Sequence, residues 1–374
     1  MSPVATHSSG PSVVPARKPL HGNAATWRRR AAAWLARHLL APQKNLVGAG
    51  ELPAFGIQRI LVCRPNHRLG NTLLLTPLLV EIERRFPGAE VDLLSAGPAA
   101  RAIFRGFDIV GDCVTLDRRA VRHPLATWAA LRKLRARRYD LVVDAASGSS
   151  SGRFASAMVK ARFQLRVDAL SGGATATHLA ARPVHALRWA LGLPGDAPVP
   201  PLDLRLTDAE RRCGREALSR VLGPAGEHAP PVLAIFPNAT GAKRLAPEWW
   251  STFTAELVAR HGALRIVELV SADGQSRLGG AYPTYYTSDP RKLAAFIEAA
   301  GTYLSADCGV MHLAAATSAT AVGLFGHTDP ARYAPYGRNN TAVSCEDGDP
   351  RSVVARVAAH LERRASPAPE TGAQ

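Results

Sequence analysis

Cysteine is scarce: five residues in 374 (Cys63, Cys113, Cys213, Cys308 and Cys345), odd in number, far apart and never in CxxC spacing. That pattern indicates neither a disulfide framework nor a cysteine zinc site, and suits a reducing compartment. No apolar run reaches the ~18 residues that cross a bilayer. The N-terminus lacks the basic-then-apolar order of a secretory signal. Neither GxGxxG nor the Walker loop occurs, which counts against dinucleotide oxidoreductases and P-loop NTPases. Acid is also in short supply: 30 Asp and Glu face 46 Lys and Arg, a formal net charge of +16. Such a surplus attracts anions, whether nucleic acid, acidic lipid headgroups or phosphorylated substrates. The expected location is the cytoplasm, with contact to the inner face of the membrane.

The surplus is uneven. Residues 1–50 hold seven Lys or Arg and no acid; residues 118–138 hold eight and no acid. Each run fits either a solvated face or contact with an anionic surface or acceptor. A nucleic-acid platform would interleave aromatics with the cations, and the second run offers only Trp128. Residues 1–24 read as a tail without periodicity. In residues 27–40, Trp27, Trp34, Leu35 and Leu39 share one helical side and three arginines straddle it. This segment fits an interfacial helix or a helix packed on the protein's own first domain.

From Ile57 onward, strand-like apolar runs alternate with helical spacings, the pattern of parallel sheets with helices on both faces. Strands are expected at Ile57–Cys63, Glu90–Leu94, Tyr139–Asp144, Gln164–Val167, Val232–Phe236, Leu264–Val270, Thr302–Ser305 and Ala321–Phe325. Helices are expected at Leu73–Phe86, His178–Leu191, Asp208–Leu222, Pro247–His261, Pro290–Ala300, Gly309–Thr317 and Arg351–Arg364. The proline-rich stretch Pro194–Pro201 is the best linker. The chain therefore divides into a basic tail with a possible interfacial helix (1–50), an α/β domain (51–195), a second α/β domain (196–348), and a last helix with a tail (349–374). In such a pair, ligands sit at the carboxyl ends of the strands, in the cleft between the domains.

Four segments carry chemistry. In YLSADCGVMHLAAA (residues 303–316), a strand ends at Ser305 and Asp307, and Gly309 opens a helix after Cys308. The unpaired amides of a first helical turn favour an anion such as a diphosphate. Asp307 can accept from sugar hydroxyls or cap the helix. His312 can face the pocket or serve as a core histidine. In AVGLFGHTDP (321–330), a strand breaks into a turn whose Thr328 and Asp329 offer oxygens. In FPNATGAKRLAPEWW (236–250), a strand empties into a polar loop bearing Thr240, Lys243 and Arg244, cations suited to phosphate or simply to solvent. In RPNHRLGNTLLLTP (64–77), the first strand opens into a loop with Arg64, His67, Arg68, Gly70 and Asn71.

Taken in chain order from Ile57 to Gly337, these four segments resemble glycosyltransferase family 9, the bacterial heptosyltransferases. The resemblance implies a GT-B fold, two Rossmann-like domains facing across a cleft. It implies transfer of heptose from ADP-heptose to the lipopolysaccharide inner core, with inversion and no structural need for metal or a separate cofactor. It implies that Lys243 meets the diphosphate and Asp307 the sugar. Gly309, His312 and the following helix would line the donor pocket, with Thr328 and Asp329 close by.

Two departures stand out. The family usually has Asp directly after the loop glycine as general base; this chain has Asn71, and an amide takes no proton near neutrality. Asn71 then orients the acceptor with His67 as base, or an acceptor phosphate or another carboxylate takes the proton, or the protein binds donor with little or no transfer. The family often has a Glu in the loop after the Glu268-Leu-Val270 run; here Asp273 or Gln275 would have to substitute.

Overall fold

Short apolar runs set the frame. Arg59–Cys63 (β1), Glu90–Ser95 (β2), Val110–Thr115 (β3), Tyr139–Asp144 (β4) and Ala161–Arg166 (β5) form a five-stranded parallel sheet of order β3-β2-β1-β4-β5. Val232–Phe236 (β6), Arg265–Leu269 (β7), Thr284–Tyr285 (β8), Gly301–Ala306 (β9), Thr320–Phe325 (β10) and Thr341–Ser344 (β11) form a six-stranded parallel sheet of order β11-β10-β9-β6-β7-β8. The computed structural model describes residues 45–97, 99–116, 124–146, 156–169, 177–338 and 340–365. The 27–40 segment, both chain ends and residues 118–123 of the second basic run lie outside them.

Parallel strands bury both faces, and alternate residues of β1 serve two different cores. Ile60 and Val62 join Leu73, Leu78 and Leu187 beneath the helices Leu69–Leu73, Thr76–Arg85 and Arg182–Ala190. Leu61 and Cys63 join Leu131 and Leu134 of the helix Pro124–Arg135 on the opposite face. In both sheets the strand order reverses once, between β1 and β4 and between β6 and β9. Crossovers leave on opposite sides there, so a crevice opens beyond the carboxyl ends of those strands.

The Pro194–Pro201 linker is fastened on both sides. Beyond it, Leu202, Leu204 and Leu206 alternate into the apolar core that also holds Ile60, Leu78, Phe296 and Leu313. Each such leucine contributes about 1.5–3 kcal/mol by burial. Arg188, 1% exposed, donates to both carboxylate oxygens of the fully buried Glu81 (2.8 and 3.0 Å) and to the Ala197 and Pro198 carbonyls. Arg291, also buried, grips Glu210 and the carbonyls of Ala102, Leu204 and Arg205. Glu210 completes a capping box with Thr207 at the head of the helix Asp208–Leu222, a reciprocal pairing of otherwise unbonded amides.

Where sequence and structure differ, local chemistry explains it. The helix expected over Leu73–Phe86 runs over Thr76–Arg85, with Pro77 in its first turn, and a separate short helix, Leu69–Leu73, precedes it; proline has no amide to continue that first helix. His178–Leu191 shortens to Arg182–Ala190 for the same reason, with Pro183 in its first turn. The edge strands β3 and β11 mix polar and apolar residues, so neither shows the unbroken apolar run of an inner strand. Part of the basic 118–138 run forms the helix Pro124–Arg135.

Candidate functional site

The loops after the strands flanking each reversal converge. Beyond β1, the Asn66 side chain accepts from the Arg68 amide at 2.9 Å, turning the chain into the helix Leu69–Leu73. Beyond β6, Gly241 at φ +65° opens a short 3-10 turn that carries Lys243. Beyond β9, Asp307 stands at the strand tip, its amide bonded to the Leu324 carbonyl of β10. Beyond β10 comes Thr328.

One carboxylate oxygen gathers three strand ends. Lys243 Nζ donates to Asp307 Oδ2 at 2.6 Å, and Thr328 Oγ1 donates to the same oxygen at 2.7 Å. Asp307 is 5% exposed. It does not cap the helix Gly309–Ala315; Cys308 occupies the cap position, with no side-chain cap bond. The Cys308 thiol is raised by burial and lies 3.4 Å from Ser305 Oγ.

The two halves touch at glycine. A Cβ on Gly70 would lie 2.6 Å from His312 Cδ2 and 3.2 Å from Gly309 Cα. Only residues without side chains permit that approach. His312 is buried, and burial holds its pKa down at about 4. The ring is therefore neutral near pH 7, and its Nδ1 has no partner among the described residues.

Around this contact lies a cavity of about 740 Å³. The sequence-nominated residues Arg68, Gly70, Asn71, Thr240, Lys243, Asp307, Cys308, Gly309, His312 and Thr328 all line it. Four nominated residues do not. His67 is exposed, with its backbone against Gly97. Ser305 is fully buried and donates to the Ala306 carbonyl. Asp329 is exposed and caps the short helix Pro330–Tyr333. Arg64 lies beneath the loop, donating to the Ala145 carbonyl at 3.2 Å, with its pKa brought down to about 10 by burial. It remains a cation at neutral pH.

The cavity also recruits residues that sequence reasoning passed over, notably Asn238, Ser271, Arg277 and Tyr333. Asn238 and Ser271 follow the ends of β6 and β7 and hydrogen-bond each other. Their position just beyond strand ends is the signal that would have found them. Asp273 lines the cavity and Gln275 does not. The acidic residue of β7, Glu268, is fully buried and accepts from the Ser276 hydroxyl and the Arg277 amide.

The charge balance narrows the ligand. The lining holds four cations, Arg68, Lys243, Arg244 and Arg277, and two carboxylates, Asp273 and Asp307. Lys243 is paired with Asp307 and Arg277 with Asp273, each at 2.6 Å. Arg68 and Arg244 have no carboxylate partner among the described residues. Two uncompensated cations in a crevice suit anionic ligand groups, phosphates among them. Among the described residues, no grouping of three or more His, Cys, Asp or Glu is placed to hold a metal ion.

Residues 291–357, which include β9, Asp307, His312 and Thr328, match the family model of glycosyltransferase family 9 (heptosyltransferase). No curated protein matches the chain in sequence. Among solved structures, a family 9 glycosyl transferase from Veillonella parvula DSM 2008 shares 16% identity at a TM-score of 0.68, over 84% of this chain and 100% of that one. The E. coli heptosyltransferase WaaC with ADP shares 18% identity at a TM-score of 0.63, over 83% and 100%. The E. coli ADP-heptose LPS heptosyltransferase II shares 16% at 0.61, over 83% and 100%. At such identities the likeness speaks for the fold, which is GT-B. The Asp307 segment thus resembles glycosyltransferase family 9 in sequence, and the described chain shares the GT-B fold of the family 9 structures it matches.

Proposed function

We propose that the chain is an inverting transferase that moves heptose from ADP-heptose to a lipopolysaccharide-core or similar lipid-linked, anionic saccharide. The observation that carries this reading is the Lys243–Asp307–Thr328 cluster beside two uncompensated arginines. A diphosphate would draw Lys243 and Arg244, while Asp307 and Thr328 would meet sugar hydroxyls. That two structural neighbours were solved with ADP or named for ADP-heptose supports adenine as the base. Gly70 and Asn71, on the facing half, would present the acceptor, with Arg68 holding its anionic groups.

In the reaction, an acceptor oxygen attacks the anomeric carbon from the side opposite the diphosphate. The carbon–oxygen bond to the diphosphate breaks and its electron pair leaves with phosphate. Lys243 and Arg244 would stabilise that charge, an electrostatic contribution aimed at the transition state. The acceptor proton needs a destination. Asn71 has no basic atom, both cavity carboxylates already hold cations, and His67 lies off the cavity. We assign the proton to an anionic group of the acceptor itself, with the Asn71 amide orienting the attacking hydroxyl.

Thermal shift against ADP-, GDP-, UDP- and dTDP-sugars tests the donor, since a ligand of the native state raises Tm by mass action. ADP-heptose should give the largest shift and Lys243→Ala should abolish it. Equal shifts in wild type and Lys243→Ala would overturn the donor assignment. Asn71 favours one second reading, a nucleotide-sugar-binding partner of an active transferase. A donor-induced shift without turnover on any core acceptor would select it.

A further inference from the structure

The helix Pro124–Arg135 packs only one side. Leu131 and Leu134 are buried against Leu61, Leu94 and Tyr139, whereas Leu125 is 82% and Trp128 61% exposed. Leu125, Trp128 and Arg132 are spaced by three and four residues, so they share the outer face. The Arg132 guanidinium lies 5.2 Å from the Trp128 ring centroid. Farther along stand Arg135 and Arg138, both exposed.

The cations of this stretch divide into two sets. Lys133 and Arg137 turn back to the sheet, where they pair with Asp112 and Asp92. Arg132, Arg135 and Arg138 have no carboxylate partner among the described residues. The outer face therefore has an apolar, aromatic end and a basic end with no acid between them. A scattered surface leucine needs no explanation. A leucine and a tryptophan at helical spacing, stacked with a free arginine, differ from that background. An aromatic ring at headgroup depth with guanidiniums on lipid phosphates is the chemistry of an anionic bilayer surface.

We infer that the outer face of residues 124–138 is a membrane-docking surface for anionic lipid, with Leu125 and Trp128 entering the headgroup region and Arg132, Arg135 and Arg138 meeting phosphates. This surface is separate from the donor cavity, and its failure would leave the transferase reading untouched.

The full chain should cosediment with phosphatidylcholine vesicles containing about one-third phosphatidylglycerol, and far less with phosphatidylcholine alone. Added salt should weaken binding. Each arginine-to-glutamine change at 132, 135 or 138 should weaken it about five-fold, the expected contribution of one basic residue near such a surface. Leu125→Ala with Trp128→Ala should weaken it about ten-fold or more through lost interfacial burial. All variants should keep wild-type Tm and the donor-induced thermal shift, because these side chains are exposed and outside the cavity. The inference is overturned if the chain does not bind anionic vesicles. It is overturned equally if both variant sets bind as wild type does, which would place lipid contact elsewhere, as in residues 27–40. Loss of self-association or of RNA binding in the variants, with vesicle binding intact, would assign the face to a second copy or to nucleic acid instead.

Discussion

Gly70→Ala isolates the contact between the two halves. The new methyl would lie 2.6 Å from His312 Cδ2, where ordinary contact begins near 3.4 Å. The gap must therefore open by roughly 0.8 Å, and neither neighbour yields cheaply in a close-packed interior. His312 is buried, and the second obstacle, Gly309 Cα at 3.2 Å, is backbone. Overpacking of this kind costs about 1–3 kcal/mol, a fall of a few degrees in Tm. The catalytic loss should be larger, because displacement near 1 Å between reacting groups costs about 10²-fold. Donor affinity should hold within a few-fold, since Lys243, Asp307 and Thr328 all belong to the second half. The assay pairs donor-induced thermal shift with transfer to a core acceptor, using Gly195→Ala as control; a Cβ there meets nothing within 4 Å. Transfer by Gly70→Ala at the wild-type rate would refute the argument that this approach sets the acceptor against the donor.

Asn71→Asp supplies a carboxylate where the family usually has one; turnover at pH 7 should rise by on the order of 10² or more, and an unchanged rate would show that proton transfer does not limit the reaction. Glu81→Ala strands Arg188 without its carboxylate in the core and should cost about 3–5 kcal/mol, read as a lower urea midpoint at constant slope; a loss below about 1 kcal/mol would mean that water or the linker carbonyls satisfy the guanidinium. Acid should destabilise the fold in two windows. His312 is held near 4 by burial, below its ordinary 6.5, so the unfolded chain binds the extra proton first and stability falls as pH drops from 6.5 to about 4. Glu210 is held at about 2 by its Arg291 hydrogen bonds, below its ordinary 4.5, so its contribution is present above 4.5 and lost toward pH 2. Urea titrations of His312→Gln and Glu210→Gln should flatten the first and second windows respectively.

The inner strands were legible because burial on both faces demands unbroken apolar residues. Tyr139–Asp144 and Val232–Phe236 were read to the residue. Edge strands carry no such demand, so β3 and β11 went unread. Motif residues were legible where a loop follows an inner strand, which is how Lys243, Asp307 and Thr328 were found. Their pairing was not: Lys243 and Asp307 are 64 residues apart, and nothing local reveals which strand end faces which. The direction of a loop side chain was equally hidden. His67 and Arg68 are adjacent in sequence, yet only Arg68 reaches the cavity. The linker looked like a spacer, whereas Leu202, Leu204, Leu206 and the guanidiniums of Arg188 and Arg291 bind it into the core. Arg205, just beyond it, adopts φ +50°, a cost of order 1–3 kcal/mol for a side-chain-bearing residue, offset by its ion pair with Glu83 and its stacking over Phe107.

The single oxygen that binds both Lys243 and Thr328 has a consequence for selectivity. With Lys243 drawn away, Asp307 would keep only the Thr328 hydroxyl, and a buried carboxylate that loses its cation is costly, so a diphosphate that draws Lys243 away must arrive with a further donor for Asp307. A sugar hydroxyl does so; a bare nucleotide does not. On the proposed reading, recognition of the phosphate and recognition of the sugar are therefore one event. Lys243 cannot move fully to the donor until the sugar has replaced it at Asp307. The cavity then favours the activated sugar over the spent nucleotide by a charge-assisted hydrogen bond, about 1.5–3 kcal/mol. That difference would help the product leave and keep the crevice free for the next donor.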